Sequence, residues 1–188
     1  GTFAVGSNLP SVARKIKKAY ISIGGVARPC WSGGELVYYG TITALSQARY
    51  GLAATSIGDY ALFGGGRVSQ QTSAVDSYDK SLVRNTATSL SQAVDELAAT
   101  SIGSYALFGG GRRAGNGKVN YINAYNTSLT KSLKYLGTAR YWLAATTVGN
   151  NALFGGGFAT NTTNVVDAVN TSLSVSTVTS LSAKRTEL

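Results

Sequence analysis

Carboxylates are the side chains in this sequence best suited to acid or base chemistry, because the chain contains no histidine. A glycosidase needs two carboxyl groups that converge on one pocket. Asp76, Asp79 and Asp167 instead belong to a recurring strand pattern, where they are expected to bond to nearby backbone or to an arginine. Asp95 and Glu96 are neighbours, and adjacent residues on a strand point to opposite sides. We therefore predict that the protein is not an enzyme. The carboxylates are Glu35, Asp59, Asp76, Asp79, Asp95, Glu96, Asp167 and Glu187.

The lack of histidine also bears on metal and cofactor sites. It removes His-based triads and most zinc and copper sites. Cys30 is the single cysteine, so an intrachain disulfide is excluded. The sequence predicts no metal and no cofactor. No apolar run approaches the roughly 20 residues of a membrane span, so none is expected.

The glycine-rich string GGGRRAGNGK, residues 109–118, could be taken for a loop that holds phosphate. Such a loop must lead into a helix whose N–H groups meet the phosphate. Here a strand pattern follows instead, at residues 119–125. The glycines are therefore expected to be structural, letting backbone segments pass closely where a strand leaves the core.

The elements that must position all these residues come from a repeat. LAATSIGDYALFGGG begins at Leu52 and returns in closely similar form at Leu97 and Leu143, 45 and 46 residues apart. That period is in the range of propeller blades. The chain has 23 Gly, 2 Pro and 13% charged residues, which is typical of short strands and tight turns. The broad class is all-β.

Four antiparallel strands are predicted in each copy. In the first copy they are residues 52–57, 60–64, 74–78 and 82–89, with a Gly-first turn at Gly58. Gly first suits a tight hairpin turn that needs positive φ. The blade units are residues 52–96, 97–142 and 143–187, and an extra outer strand is expected at residues 39–45. Residues 36–188 thus form the repeat domain.

A basic leader, residues 1–35, precedes the repeats. Residues 19–31 are predicted to form a small hairpin around Gly24-Gly25. An isolated hairpin is marginal in water, so the leader should dock on something. The positive charge could meet an acidic protein, nucleic acid or anionic lipid, or could simply be solvated; we expect a protein partner and no nucleic acid. The candidate docking residues are Arg14, Lys15, Lys17, Lys18 and Arg28.

The two edges of the blades differ in how much their sequences vary among the three copies. The tight turns are nearly constant, whereas the loops after the second strands and the segments between copies vary, at residues 67–73, 112–119 and 158–164 among others. Binding residues concentrate on loops held by a rigid scaffold. The variable edge is the candidate interaction surface, although loops also drift when nothing constrains them. Trp142 could equally be a packing residue. The candidate ligand-binding residues are Arg67, Arg112, Arg113, Tyr141 and Trp142.

The repeat resembles the kelch repeat. An apolar strand ends in a glycine doublet, a Val-x-x-Tyr-Asp-like strand follows at Val75 and at its counterparts, and Arg49, Arg140 and Arg185 match the kelch arginine between blades. The second copy has Val94-Asp95 at that place, and Ser-Leu replaces the usual Trp near the fourth strand. The resemblance implies blades of a β-propeller.

The amino-acid sequence of the repeat, together with the leader VARKIKKAYISIGGVARPCWSGGEL, is similar to kelch-like virion proteins of bacteriophages and prophages. This resemblance implies a tail, fibre or other structural component that acts in host attachment. The leader would contact other virion proteins, and the blades would display a face for a host-surface glycan or protein. The location would be the virion, assembled in the host cytoplasm and extracellular as a particle. A bacterial carbohydrate-binding propeller and, more weakly, a propeller hydrolase are the alternatives.

Three blades leave a propeller incomplete, because closed rings have about 4 to 8 blades. Either further copies follow Leu188 in a longer chain, or several chains complete one ring as a homo-oligomer, two of them giving six blades. We favour the longer chain, because Leu188 matches the first residue of a further copy of the repeat.

Overall fold

In this computed structural model the described residues are 19–23, 26–31 and 41–188, with side chains described for residues 41–188. The chain divides into two compact units, Gly1–Thr41 and Ile42–Leu188. In the first unit, β1 (Ala19–Ile23) pairs antiparallel with β2 (Val26–Trp31), and Ile23 lies opposite Val26. The docking candidates Arg14, Lys15, Lys17 and Lys18 lie outside the described residues. Arg28 is on β2, but its side chain is outside the described part.

The second unit contains three four-stranded antiparallel sheets, one for each copy of the repeat. The first sheet holds β3 (Ala53–Ile57), β4 (Tyr60–Gly64), β5 (Val75–Tyr78) and β6 (Arg84–Thr86). The second holds β7 (Ala98–Ile102), β8 (Tyr105–Gly109), β11 (Tyr121–Asn126) and β12 (Lys131–Tyr135). A two-stranded ribbon, β9 (Arg112–Arg113) and β10 (Gly117–Lys118), lies between β8 and β11 in the chain. The third sheet holds β13 (Ala144–Val148), β14 (Asn151–Gly155), β15 (Val166–Asn170) and β16 (Val175–Val178). The predicted all-β class is confirmed.

Two expected strands differ from the structure. The fourth strand of the first copy, predicted at residues 82–89, is confined to β6, because Leu82 has φ +61° and belongs to the turn. The Asp79 carboxylate holds this turn by accepting the N–H groups of Ser81 and Val83 at 2.9 and 3.1 Å. The outer strand predicted at residues 39–45 aligns with residues 84–90, of which only 84–86 form β6. Accordingly residues 41–45 form no strand, and residues 39 and 40 lie outside the described part.

The sheets stack through apolar faces, which form two buried clusters. One cluster joins the first and second sheets around Leu62 and Phe108, and the other joins the second and third around Leu107 and Phe154. All four of these side chains are fully buried. Burial of this apolar surface is the main stabilising contribution in this unit.

Each junction places a phenylalanine ring against a glycine of the preceding sheet. A Cβ built on Gly64 would lie 2.9 Å from the Phe108 ring, and one on Gly109 would lie 2.6 Å from the Phe154 ring. Gly110 also approaches backbone closely, since a Cβ there would lie 2.6 Å from the Arg140 carbonyl oxygen. The glycines of the string GGGRRAGNGK at residues 109–111 are therefore structural, as predicted from the sequence.

Buried ion pairs anchor the segments that lead into the first and third sheets. Arg49 Nη1 lies 2.8 Å from Asp76 Oδ2, and Arg140 Nη1 lies 2.8 Å from Asp167 Oδ2, with all four side chains at most 1% exposed. Burial raises the pKa of Asp76, but hydrogen bonds from Ser46 and Arg49 outweigh it, so the net shift is downward. The expectation that these aspartates bond to the arginine between repeats is confirmed.

Candidate functional site

The loops after the second strands and the segments that connect the repeats meet along one edge of the sheets, called the loop edge here. It comprises residues 49–51, 94–96, 140–142 and 185–187 with the loops 67–73, 112–119 and 158–164. The residue after each glycine triplet bridges to the middle residue of a connecting segment, in the pairs Tyr50 with Arg67, Asp95 with Arg112, and Tyr141 with Phe158. The variable segments therefore share one edge, as the sequence predicted.

A row of backbone hydrogen bonds runs along the loop edge from repeat to repeat. The N–H of Glu96 donates to the carbonyl of Gly51 at 2.8 Å, Trp142 to Glu96 at 3.0 Å, and Glu187 to Trp142 at 3.1 Å. All four residues have φ between +55° and +64°, a region that costs strain for residues other than glycine. Their fixed conformation sets the direction of the Glu96, Trp142 and Glu187 side chains.

Asp95 is the centre of the charged part of this edge. It is fully buried and accepts two hydrogen bonds from Arg112, from Nε at 3.2 Å and from Nη2 at 3.1 Å. Arg112 Nη2 also lies 2.7 Å from Glu96 Oε1. The prediction that Asp95 and Glu96 point to opposite sides is wrong, because Glu96 has φ +56° and is not part of an extended strand.

Burial and charge in this cluster shift the pKa values of Arg112 and Glu96. The hydrogen bonds that Arg112 donates to Asp95 raise the pKa of Arg112. Burial and the nearby Asp95 charge raise the pKa of Glu96, against the opposing effect of Arg112. The Oε2 atom of Glu96 is buried and accepts no hydrogen bond within residues 41–188. Glu96 Oε2 is therefore shielded from solvent, and the Glu96 carboxylate is held between the side chains of Arg112 and Trp142.

Aromatic side chains continue the row from Arg112 into the third repeat. The Arg112 guanidinium lies 5.8 Å from the centre of the Tyr141 ring, which lies 5.5 Å from the Phe158 ring. The Lys118 ammonium lies 6.0 Å from the centre of Phe158. At the other end, Arg67 Nε lies 4.0 Å from Asp95 Oδ2. The loop edge therefore carries a row of cationic and aromatic groups, with the Asp95 carboxylate between Arg67 and Arg112.

Trp142 faces an open cavity at this edge. Its ring lies 4.8 Å from that of Tyr141, and the cavity has a volume of about 280 Å³. Glu96, Glu187 and Gly51 also line it. Trp142 therefore packs against a neighbour and contributes to an accessible site, which are the two alternatives that the sequence left open.

The structure brings together Arg67, Arg112, Tyr141 and Trp142 but leaves Arg113 apart. Arg113 is exposed on the ribbon and packs against Gly117, where a Cβ would lie 2.7 Å from its Nε atom. Sequence reasoning missed Phe158 and Lys118 as members of the site. Phe158 was identifiable in principle, because it occupies the place of Arg67 and Arg112 after the glycine triplet.

Asp95 is engaged by Arg112 on both oxygens, so this carboxylate anchors the Arg112 side chain at the loop edge. Residues 41–188 and the two described strands hold no group of three His, Cys, Asp or Glu side chains that could bind a metal ion. In the same parts of the chain, none of the helices is both long enough and apolar enough to span a membrane.

Comparison with known proteins gives a likeness of fold. No family model matches the chain, and no curated protein matches it. The solved structure of YjhT is similar, with a TM-score of 0.60 and 19% sequence identity over 76% of this chain. The match covers 47% of the YjhT chain, so this chain spans about half of that protein. At this identity the likeness establishes the fold alone, an all-β arrangement of antiparallel sheets.

Proposed function

We propose that this chain is a non-enzymatic structural protein of a bacteriophage particle, part of a tail, fibre or other appendage, whose kelch-like blades bind a host-surface ligand along the loop edge. One observation carries the binding proposal. The positions that differ most among the three copies come together at the loop edge as one row of cationic and aromatic side chains, including Arg67, Arg112, Tyr141 and Phe158. Aromatic and arginine side chains dominate binding hot spots.

The blade assignment is supported by the sheets and by the arginines between them. Each repeat forms a four-stranded antiparallel sheet in chain order, and neighbouring sheets stack face to face. Arg49 and Arg140, which match the kelch arginine, each bond to an aspartate of the sheet that follows. A ring of kelch-like blades is the architecture that these features fit best.

The phage assignment is supported by the resemblance of the repeat and leader to kelch-like virion proteins. In this proposal the basic leader docks on other proteins of the particle, and the blades bind the host. The repeat domain then acts as a scaffold that displays the loop edge to the host.

The ligand chemistry follows from the cavity beside Trp142. An indole ring such as that of Trp142 can stack on the apolar face of a sugar, and an exposed carboxylate such as that of Glu187 can accept a hydrogen bond from a sugar hydroxyl. Both groups line this cavity. The same observation supports the second candidate, a bacterial carbohydrate-binding protein with no role in a virion.

Trp142→Gly should weaken binding to host cells or to a glycan array by roughly tenfold, since it removes a ring of the hot-spot class. Glycine is the matched choice because Trp142 has φ +55° and the equivalent residue in the first copy is Gly51. Arg113→Ala should weaken binding less than Trp142→Gly, because the exposed Arg113 side chain lies apart from Arg112 and Tyr141. Binding constants from a titration on immobilised ligand would measure both effects.

Asp59→Ala and Ser104→Ala are the controls, since both lie on the tight turns of the opposite edge. They should leave binding unchanged. Weaker binding in these variants, with Trp142→Gly unaffected, would assign the ligand to the opposite edge.

A further inference from the structure

The outer face of the third sheet differs from the faces that are covered by a neighbour. Leu62 and Leu107 are fully buried, whereas the equivalent Leu153 is partly exposed. Ile57 and Ile102 are 5% and 2% exposed, whereas the equivalent Val148 is 62% exposed. The third sheet thus presents apolar side chains at the equivalent positions, with Val148 in place of isoleucine, but has no described neighbour on that side.

A cavity marks the place where the neighbour's ring would lie. Gly64 is covered by the Phe108 ring and Gly109 by the Phe154 ring, whereas a Cβ on Gly155 would meet only Val166 and Leu181, at 3.6 and 3.8 Å. An apolar cavity of about 180 Å³ lies here, lined by Gly155, Leu153, Val166 and Leu181 among others. A cavity of about 150 Å³ is enough to take up benzene, so a phenylalanine ring fits.

The segment that connects one sheet to the next is already present at this face. Leu181 exchanges hydrogen bonds with Asn164, as Leu136 does with Asn120 at the preceding junction. The N–H of Gly157 donates to the Arg185 carbonyl at 2.9 Å, as that of Gly111 does to Arg140. Residues 181–188 therefore occupy the connecting position over the third sheet.

Because residues 181–188 already occupy the connecting position, the covering sheet is expected to continue from Leu188 and not to come from a second copy of the chain. The first sheet of a second copy would arrive with its own connecting segment, held by the Ser46 hydrogen bonds to Asp76 and by the Tyr78 hydroxyl, which donates to the Thr43 carbonyl at 2.6 Å. That segment needs the position that residues 181–188 hold. A sheet that Leu188 leads into, as Leu143 leads into β13, needs no such displacement.

We propose that the outer face of the third sheet is a docking surface for a fourth sheet of the same repeat, joined through Leu188, which places a phenylalanine ring over Gly155. The inference rests on the proposed blade architecture and not on the proposed ligand. Its test measures thermal stability and not ligand binding, so the proposal of a fourth sheet and the proposal of a ligand at the loop edge can fail separately.

Three matched glycine variants test the face in the chain as it stands. Gly64→Ala and Gly109→Ala should each lower the midpoint of thermal unfolding by about 5 °C, because the added methyl group collides with a packed ring. Gly155→Ala should leave the midpoint unchanged, because its Cβ meets only ordinary contacts. None of these three glycines has positive φ, so the comparison is free of backbone strain.

The decisive experiment repeats these measurements in an extended chain, in which a copy of residues 53–97 is placed directly after Leu188 as a fourth repeat. In the extended chain Gly155→Ala should now lower the midpoint by about 5 °C, like the other two variants. Replacing the added copy of Phe63 by Ala should remove this sensitivity and leave the rest of the chain folded. Hydrogen exchange at Val148 should slow on extension.

Two outcomes would overturn the proposal. If Gly155→Ala stays neutral in the extended chain and exchange at Val148 does not change, the face does not accept a fourth sheet. If the unextended chain dimerises in sedimentation velocity and Gly155→Ala weakens the dimer, the occupant is a second copy.

Discussion

Arg140→Ala should lower the free energy of unfolding by about 3–5 kcal/mol, because it leaves the Asp167 carboxylate buried without its partner. Asp167 is fully buried, and Arg140 supplies its closest charged contact at 2.8 Å. Arg140 Nη2 also donates to the Phe154 carbonyl at 2.9 Å, so the variant loses a second buried bond. Asp167→Ala should be similarly costly, since it leaves the guanidinium without its counter-charge. Chemical denaturation would measure both losses.

The second copy of the repeat shows which double substitution should restore the stability lost in Arg140→Ala. At the equivalent positions the second copy has Val94 and Asn123, a neutral pair, and Asn123 Oδ1 accepts the N–H of Ser91 at 2.8 Å. In the third copy the N–H of Gly137 makes the same bond to Asp167 at 3.3 Å. Arg140→Val combined with Asp167→Asn should therefore return to within about 1 kcal/mol of the unaltered chain.

Lys80→Ala is the matched control for charge, because Lys80 pairs with Asp59 at 3.1 Å on an exposed turn. Its effect should stay within about 0.5 kcal/mol. If Arg140→Val combined with Asp167→Asn is as unstable as Arg140→Ala alone, the neutral pair of the second copy cannot replace the ion pair of the third copy, and the prediction is wrong.

Phe154→Ala should cost about 3–5 kcal/mol, since it removes a fully buried ring from the junction between the second and third sheets. The ring lies directly over Gly109, which has no side chain to fill the space. The cavity therefore cannot close by local rearrangement of that residue. Loss of this contact should weaken the packing of the third sheet on the second but not abolish it, because other buried side chains of the same cluster remain.

Phe63→Ala is the comparison, because Phe63 occupies the equivalent place in the first sheet but is only partly buried. Its cost should be clearly smaller, as measured by the midpoint of urea unfolding. Equal costs for the two variants would contradict the stacking of rings on glycines as the main contact between sheets.

The sequence predicted the features that recur in every copy. The tight turns begin at Gly58, Gly103 and Gly149, all of which have positive φ in the structure. The glycine triplets were predicted to allow close backbone approach, and the loop edge was predicted from the position of the variable segments. These succeed because they depend on local backbone geometry, which repeated residue types report directly.

Other features depended on contacts that no local pattern shows. Leu82 has a residue type common in strands but adopts φ +61° because the Asp79 carboxylate holds the turn. The direction of Glu96 follows from its positive φ and its bond to Gly51, and neither is visible in the residue type. The stacking of Phe158 with Tyr141 joins residues that are distant in sequence. Such positions are fixed by packing between repeats.

The proposed function is tested most directly by electron cryo-microscopy of the phage particles in which this chain is proposed to occur. We expect density for stacked four-stranded sheets on an appendage, with the loop edge of Arg112, Tyr141 and Trp142 accessible to the host. Particles without this density, or with the loop edge buried against another virion protein, would contradict the account.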